Sequence, residues 1–166
     1  MPERSEFAVG SLLRRLSNAE VDFVVIGGVA VVIQASPRFT RDLDISYATD
    51  AQNLAKMGEL LMELGARLRG VDEDTPFVAD LRTLEQTQVL TLTTSEGDVD
   101  LLVDPPGSPG YAALKRNATE IELDGSRVLV ASIDDLIAMK TATSRPQDLV
   151  DLESLEIARR RARSRT

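Results

Sequence analysis

A mixed β-sheet flanked by helices, of α/β or α+β type, is the fold that this sequence predicts. Three observations carry the prediction. An apolar run, Val21 to Ile26, stops at Gly27-Gly28 and leads into a helical stretch, as a buried strand followed by a tight turn does. Asp42 to Tyr47 alternates acid and apolar residues with the period of a strand. Two hairpin patterns then occupy the second half, and two helical patterns close the chain.

Taken in order, Glu6 to Ser17 reads as an amphipathic helix, with Val9, Leu12, Leu13 and Leu16 on one stripe. Val21 to Ile26 is the first strand, and Val29 to Ala35 a short helix stopped ahead of Pro37. After the strand Asp42–Tyr47, Asp50 caps a helix that runs to about Leu64 and ends at Gly65. Residues 66–86 show no readable period. Gln88 to Thr94 and Asp98 to Val103 flank Ser95-Glu96-Gly97 as a hairpin, and Pro105 to Gly110 form a loop. Ile121 to Leu123 and Arg127 to Ala131 meet at Asp124-Gly125 as a second hairpin. Ser132 to Asp135 has the Ser-x-x-Asp pattern of a helix start, for a helix reaching about Thr141. A last helix opens near Pro146. No linker divides the chain, so one domain over residues 1–166 is expected, with a sheet core over 20–104 and C-terminal helices over 132–162.

Composition narrows the chemistry. The 166 residues include no Cys and no His, which removes thiol nucleophiles, Ser-His-Asp relays and thiolate or imidazole metal sites. Any metal must be held by oxygen, which favours Mg²⁺ or Mn²⁺. No apolar run approaches the roughly 20 residues of a membrane span. Met1-Pro2-Glu3-Arg4 opens no signal-peptide pattern, so the expected location is cytoplasmic. The net charge of -8 argues against a nucleic-acid-binding surface overall. It is unevenly spread: Ile157 to Thr166 carry five Arg and no acid. That tail is a solvated helix end or a contact for RNA or a partner.

The chemistry centres on Asp42-Leu43-Asp44. Residues two apart on a strand share a face, so both carboxylates project together while Leu43 and Ile45 enter the core. Such a pair repels unless cations lie between them. Two divalent ions about 3.5–4 Å apart suit it, and can hold the attacking and leaving oxygens of a phosphoryl displacement. Asp100, between Val99 and Leu101 in another strand, is the expected third ligand, preferred to Asp98 nearer the turn. Gly27-Gly28, between strand and helix, would let backbone N–H groups approach a phosphate. Lys140 falls on the apolar side of its helix, facing a nucleotide phosphate or snorkelling from the core edge. Asp148 lies on the apolar side of the last helix, at the site or in a salt bridge to Lys140 or Arg145. Arg38 orients phosphates or caps its loop.

Val25-Ile26-Gly27-Gly28-Val29-Ala30, followed by Arg38-Phe39-Thr40-Arg41-Asp42-Leu43-Asp44-Ile45, resembles the signature of the polymerase-beta-type nucleotidyltransferase superfamily. Within it the chain is most similar to AbiEii-type toxin nucleotidyltransferases and their bacterial relatives. Arg38, Thr40, Asp42 and Asp44 occupy that group's Arg-x-[Ser/Thr]-x-Asp-x-Asp segment. Leu136 to Lys140 and Arg145 to Leu152 are similar to its downstream Lys and Asp motifs. The resemblance covers residues 20–157. It implies a nucleotidyltransferase fold and transfer of a nucleoside monophosphate from an NTP to an acceptor hydroxyl, with two Mg²⁺ or Mn²⁺ ions. Asp42, Asp44 and Asp100 would be the catalytic metal ligands. Gly27, Gly28, Arg38, Thr40, Lys140 and Asp148 would bind the nucleotide.

The acceptor implied is a tRNA end, as in toxin relatives, or a small molecule such as an antibiotic hydroxyl. A cognate antitoxin is the implied protein partner. A non-catalytic antitoxin or partner-binding module on the same fold is the rival expectation. The family's larger toxins carry an extended C-terminal helical region, so this chain is expected to be a minimal version.

Overall fold

The computed structural model describes residues 4–166, with side chains described from Val9 onward; Met1 to Glu3 lie outside them. The first helix, α1 (Arg4–Asn18), buries Leu12, Leu13 and Leu16, the stripe that the sequence marks. It leads into β1 (Phe23–Ile26), whose four residues are all buried. A strand closed off on both faces belongs in the middle of a sheet. α2 (Gly27–Gln34) follows without a linker, starting at the glycine pair rather than at Val29. β2 (Leu43–Tyr47) is the expected strand, with Asp42 just outside its first residue and, besides the apolar positions, Ser46 buried.

α3 (Ala51–Glu63) is capped by the Asp50 carboxylate, which accepts from the Asn53 backbone N–H. β3 (Arg67–Leu68) and α4 (Leu81–Gln86) fill the stretch without a readable period. Two and six residues are too few to show one. β4 (Val89–Thr94) and β5 (Gly97–Leu102) form the first hairpin, turning at Ser95-Glu96. α5 (Tyr111–Asn117) was not legible either: it has seven residues, of which only Leu114 is buried. β6 (Thr119–Leu123) and β7 (Ser126–Val130) form the second hairpin. Its turn residues Asp124 and Gly125 both have positive φ, as a two-residue hairpin turn requires. α6 (Ile133–Thr143) starts at the Ser132 cap, and α7 (Pro146–Ser164) has Pro146 in its first turn.

The strands make one mixed seven-stranded sheet in the order β3-β4-β5-β2-β1-β7-β6. β1 runs antiparallel to β2 and parallel to β7, while β2 runs parallel to β5. Leu43 pairs with Val99 and Ile45 with Leu101, and all four are buried. That apolar face is extended by Leu90 and Leu92 of β4 and covered by helices that include α1 and α3. The alternate positions, which carry the acids, turn to the other face. There α2 packs on β1 and β2 and against the paired helices α6 and α7. Among the described residues no helix is long and apolar enough to cross a membrane.

Leu43 anchors the acid-bearing strand and is 0% exposed, whereas Val89 on β4 is 55% exposed. Leu43→Ala should therefore lower unfolding stability by about 2–5 kcal/mol in urea titrations. Val89→Thr should stay within about 0.5 kcal/mol of the parent.

Candidate active site

Strand register makes the site. Asp44 of β2 pairs with Asp100 of the parallel strand β5, so the two carboxylates leave adjacent backbones on the same face. Asp42 and Asp98 lie two residues earlier on the same sides of their chains. Asp42, Asp44 and Asp100, the three acids expected from the sequence, line one cleft of about 560 Å³. Asp98 stands one step further from Asp44, opposite Thr93 of β4.

The glycine pair is the floor on which these groups rest. Gly27 has φ +67°, and a Cβ there would run into the Asp44 carboxylate. At Gly28 a Cβ would stand 2.8 Å from both Arg38 Nη2 and Thr40 Oγ1. Neither position tolerates a side chain while the acid and the Arg38–Thr40 loop lie against it. Both glycines open α2, whose N-terminus has no side-chain cap.

The opposite wall is cationic and is built by α6 and α7. Lys140, 10% exposed, places Nζ 3.1 Å from Asp148 Oδ1 and 3.0 Å from Asp151 Oδ2. Arg38 donates to both oxygens of Asp151, at 2.8 and 2.9 Å. Asp148 also accepts from the Thr143 hydroxyl at 2.6 Å and from the Arg145 backbone and guanidinium at 2.9 and 3.0 Å. Both acids are 1% exposed. Two buried carboxylates thus fix three cations, Arg38, Lys140 and Arg145, along the cleft. Burial pushes the Asp148 carboxyl up, but hydrogen bonds from Thr143, Arg145 and Lys140 outweigh it and hold it well below the usual carboxylate range.

The acid wall is short of positive charge. Burial, with the charges of Asp100 and Asp42, pushes Asp44 up to about 7. Burial also raises Asp42, against the pull of Arg69. Arg69 is a participant with no signal in the sequence, because it reaches in from the residue that follows the two-residue strand β3. Its guanidinium lies 2.8 Å from Asp100, 3.4 Å from Asp42 and 3.4 Å from Asp98. No ion pair to Asp44 is present among the described residues.

Of the expected nucleotide-binding residues, Gly28, Arg38, Thr40, Lys140 and Asp148 line the same cleft as the three acids. Gly27 lies beneath Asp44 and lines the adjoining apolar recess. Asp148 makes the salt bridges to Lys140 and Arg145 that the sequence offered as its alternative, while Asp151 and Arg145 were not among the expected site residues. Asp151 could have been found three residues beyond Asp148, on the same helical stripe. In the Arg-rich tail, Arg159 is bound to Glu156 at 2.6 Å and to Asp134 at 3.4 Å, fastening α7 to the start of α6.

Comparison with known proteins agrees with this architecture. The family described as "Nucleotidyl transferase AbiEii toxin, Type IV TA system" matches residues 11–159. Among curated proteins none matches in sequence. A crystal structure of the lincosamide antibiotic adenylyltransferase LnuA with lincomycin bound superposes with a TM-score of 0.61 at 16% identity, covering 90% of this chain and 94% of that one. The solution structure of the antibiotic-resistance factor ANT(2'')-Ia gives 0.56 at 14% identity, covering 95% and 90%. An antigenic nucleotidyltransferase-like protein from Paracoccidioides brasiliensis gives 0.54 at 18% identity, covering 92% and 74%. At these identities the likeness is one of fold.

Two outcomes follow from the electrostatics. Lys140→Met leaves two buried carboxylates short of a cation and should destabilise the protein by about 3–5 kcal/mol in denaturant titrations. Asp44 has a folded-state pKa raised from 3.8 to about 7, so the stability tied to its protonation is complete below pH 3.8 and is lost as pH rises through about 7. In chelator-treated protein, Asp44→Asn should flatten the fall in stability between about pH 4 and pH 7, an effect on the order of a few kcal/mol at most. An unchanged slope would mean that Asp44 is ionised throughout.

Proposed function

We propose, for a chain that belongs to the family of the nucleotidyl transferase AbiEii toxin of type IV toxin–antitoxin systems, that this cleft moves a nucleoside monophosphate from an NTP to an acceptor hydroxyl. The chain is an enzyme of the nucleotidyltransferase class. The observation that carries the reading is the opposition of two walls: Asp42, Asp44 and Asp100 on one side, Arg38, Lys140 and Arg145 on the other.

The donor set suits a hard divalent cation: three carboxylates in one cleft, one of them pushed towards neutrality by burial and by the neighbouring acids. Asp42, Asp44 and Asp100 would hold two Mg²⁺ or Mn²⁺ ions, which supply neutralisation of the charge that develops as the phosphoryl centre is displaced. Arg38, Lys140 and Thr40 bind and orient the triphosphate in the cleft, beside the N-terminus of α2 that Gly27 and Gly28 open. Asp148 contributes indirectly, by fixing Lys140 and Arg145, since an anion does not itself attract phosphate. Asp100 accepts the proton of the acceptor hydroxyl. The acceptor oxygen bonds to the α-phosphorus, the bond to the bridging oxygen breaks, and pyrophosphate leaves with its electron pair.

A tRNA end is the acceptor proposed, with a cognate antitoxin as the protein partner. An antibiotic hydroxyl is the acceptor of the second reading, which the fold likeness to an antibiotic adenylyltransferase and an antibiotic-resistance factor favours. Incubation with each labelled NTP, Mg²⁺ and either total tRNA or hydroxyl-bearing antibiotics distinguishes them by which acceptor gains label. Transfer should stop with EDTA; activity that persists after thorough chelation would sink the two-metal assignment. Asp100→Asn should lose about a hundredfold or more in turnover while retaining NTP binding, measured by single-turnover kinetics and calorimetry.

A further inference from the structure

Arg69 has no part in the reading above, yet among the described residues it makes more contacts to these acids than any other cation. Its backbone N–H donates to Thr91 O at 2.9 Å, extending the β3–β4 pairing by one residue. Thr91 in turn pairs with Asp100, and Asp100 with Asp44. Arg69, just past β3, therefore stands in one row with Thr91, Asp100 and Asp44 of β4, β5 and β2. Along that row the guanidinium reaches Asp100 at 2.8 Å, Asp42 at 3.4 Å, Asp98 at 3.4 Å and the Leu92 carbonyl at 2.9 Å. Its Nε is buried and makes no hydrogen bond. That nitrogen faces Asp98 at 3.4 Å without hydrogen-bond geometry, and a buried donor lacking a hydrogen bond carries a free-energy cost, which eases the group's release.

We propose that Arg69 is the resident cation of the acid cluster, exchanged for a divalent ion when the site loads. The inference rests on the metal-binding role of Asp42 and Asp100 proposed above. A guanidinium stays charged at any relevant pH, so it leaves these carboxylates by displacement and not by losing its proton. With Arg69 between them, no three carboxylates among the described residues close on one point as a ready metal cage. A divalent ion brings twice the charge in a smaller volume, which makes the exchange favourable once its hydration is replaced by carboxylate oxygens. Arg69 thereby keeps three neighbouring acids, Asp42, Asp98 and Asp100, compatible with a folded protein and raises the metal concentration needed to fill the site.

The test is Mn²⁺ binding without nucleotide, followed by electron paramagnetic resonance, in the parent, Arg69→Met and Arg69→Lys. Arg69→Met should bind Mn²⁺ about tenfold tighter or more, having no cation to displace, while Arg69→Lys stays near the parent. Equal or weaker binding by Arg69→Met, with a lower melting temperature, would make Arg69 a structural ion-pair partner and overturn the inference alone. Mn²⁺ binding by none of the three overturns it together with the metal reading beneath it. A measurement on the parent keeps the test independent of the variants' folding. The Arg69 Nε–H resonance should shift and gain solvent exchange as Mg²⁺ is added; a signal still protected at saturation overturns the exchange.

Discussion

The parallel register of β2 and β5 sets Asp44 against Asp100, and the surroundings of the cleft are arranged around that repulsion. Leu43, Ile45, Val99 and Leu101 point the other way into the core, so the acids cannot rotate out of the cleft without exposing buried apolar surface. Slipping either strand by one residue would exchange the two faces, burying carboxylates and exposing leucine. The hydrophobic face thus enforces an electrostatic arrangement that the carboxylates alone would avoid.

Charge of the opposite sign is supplied from two directions, by different means. From the sheet edge, Arg69 reaches across β4 to the acids themselves. From the far wall, Arg38, Lys140 and Arg145 are held in place by Asp148 and Asp151, which are nearly inaccessible to solvent. Buried ion pairs of this kind add little net stability, because desolvation offsets most of the attraction. Their effect is positional. They tie the Arg38 loop between α2 and β2 to the first turns of α7, and so fix the width of the cleft from residues more than a hundred positions apart.

The glycine pair joins the two walls. Asp44 lies over Gly27, and Arg38 and Thr40 lie over Gly28, so one strand-to-helix turn contacts both sides of the site. A longer side chain at either position would push the acid wall or the cationic wall outward. The close backbone approach expected of these glycines is therefore present, and in this structure the groups that approach are the protein's own.

Much of this was legible in the amino-acid order, because it depends on periods and on turn chemistry. The alternation at Asp42–Tyr47, the apolar run into Gly27-Gly28, the caps at Asp50 and Ser132 and the Asp124-Gly125 turn each fix a local conformation through neighbours a few residues away. They determined a mixed sheet flanked by helices, and placed Asp44 and Asp100 on strands, and Asp42 at the entry to one, facing away from the apolar side chains between them. Tertiary structure alone decided the rest. That Asp44 meets Asp100 depends on β2 lying beside β5 in one register, a choice made by packing across more than fifty residues. That Arg69 sits among the acids depends on a two-residue edge strand, too short to leave a period. That Lys140 is shared by Asp148 and Asp151 depends on how α6 folds back on α7. Such contacts are set by the global burial of apolar surface, and no local pattern records them.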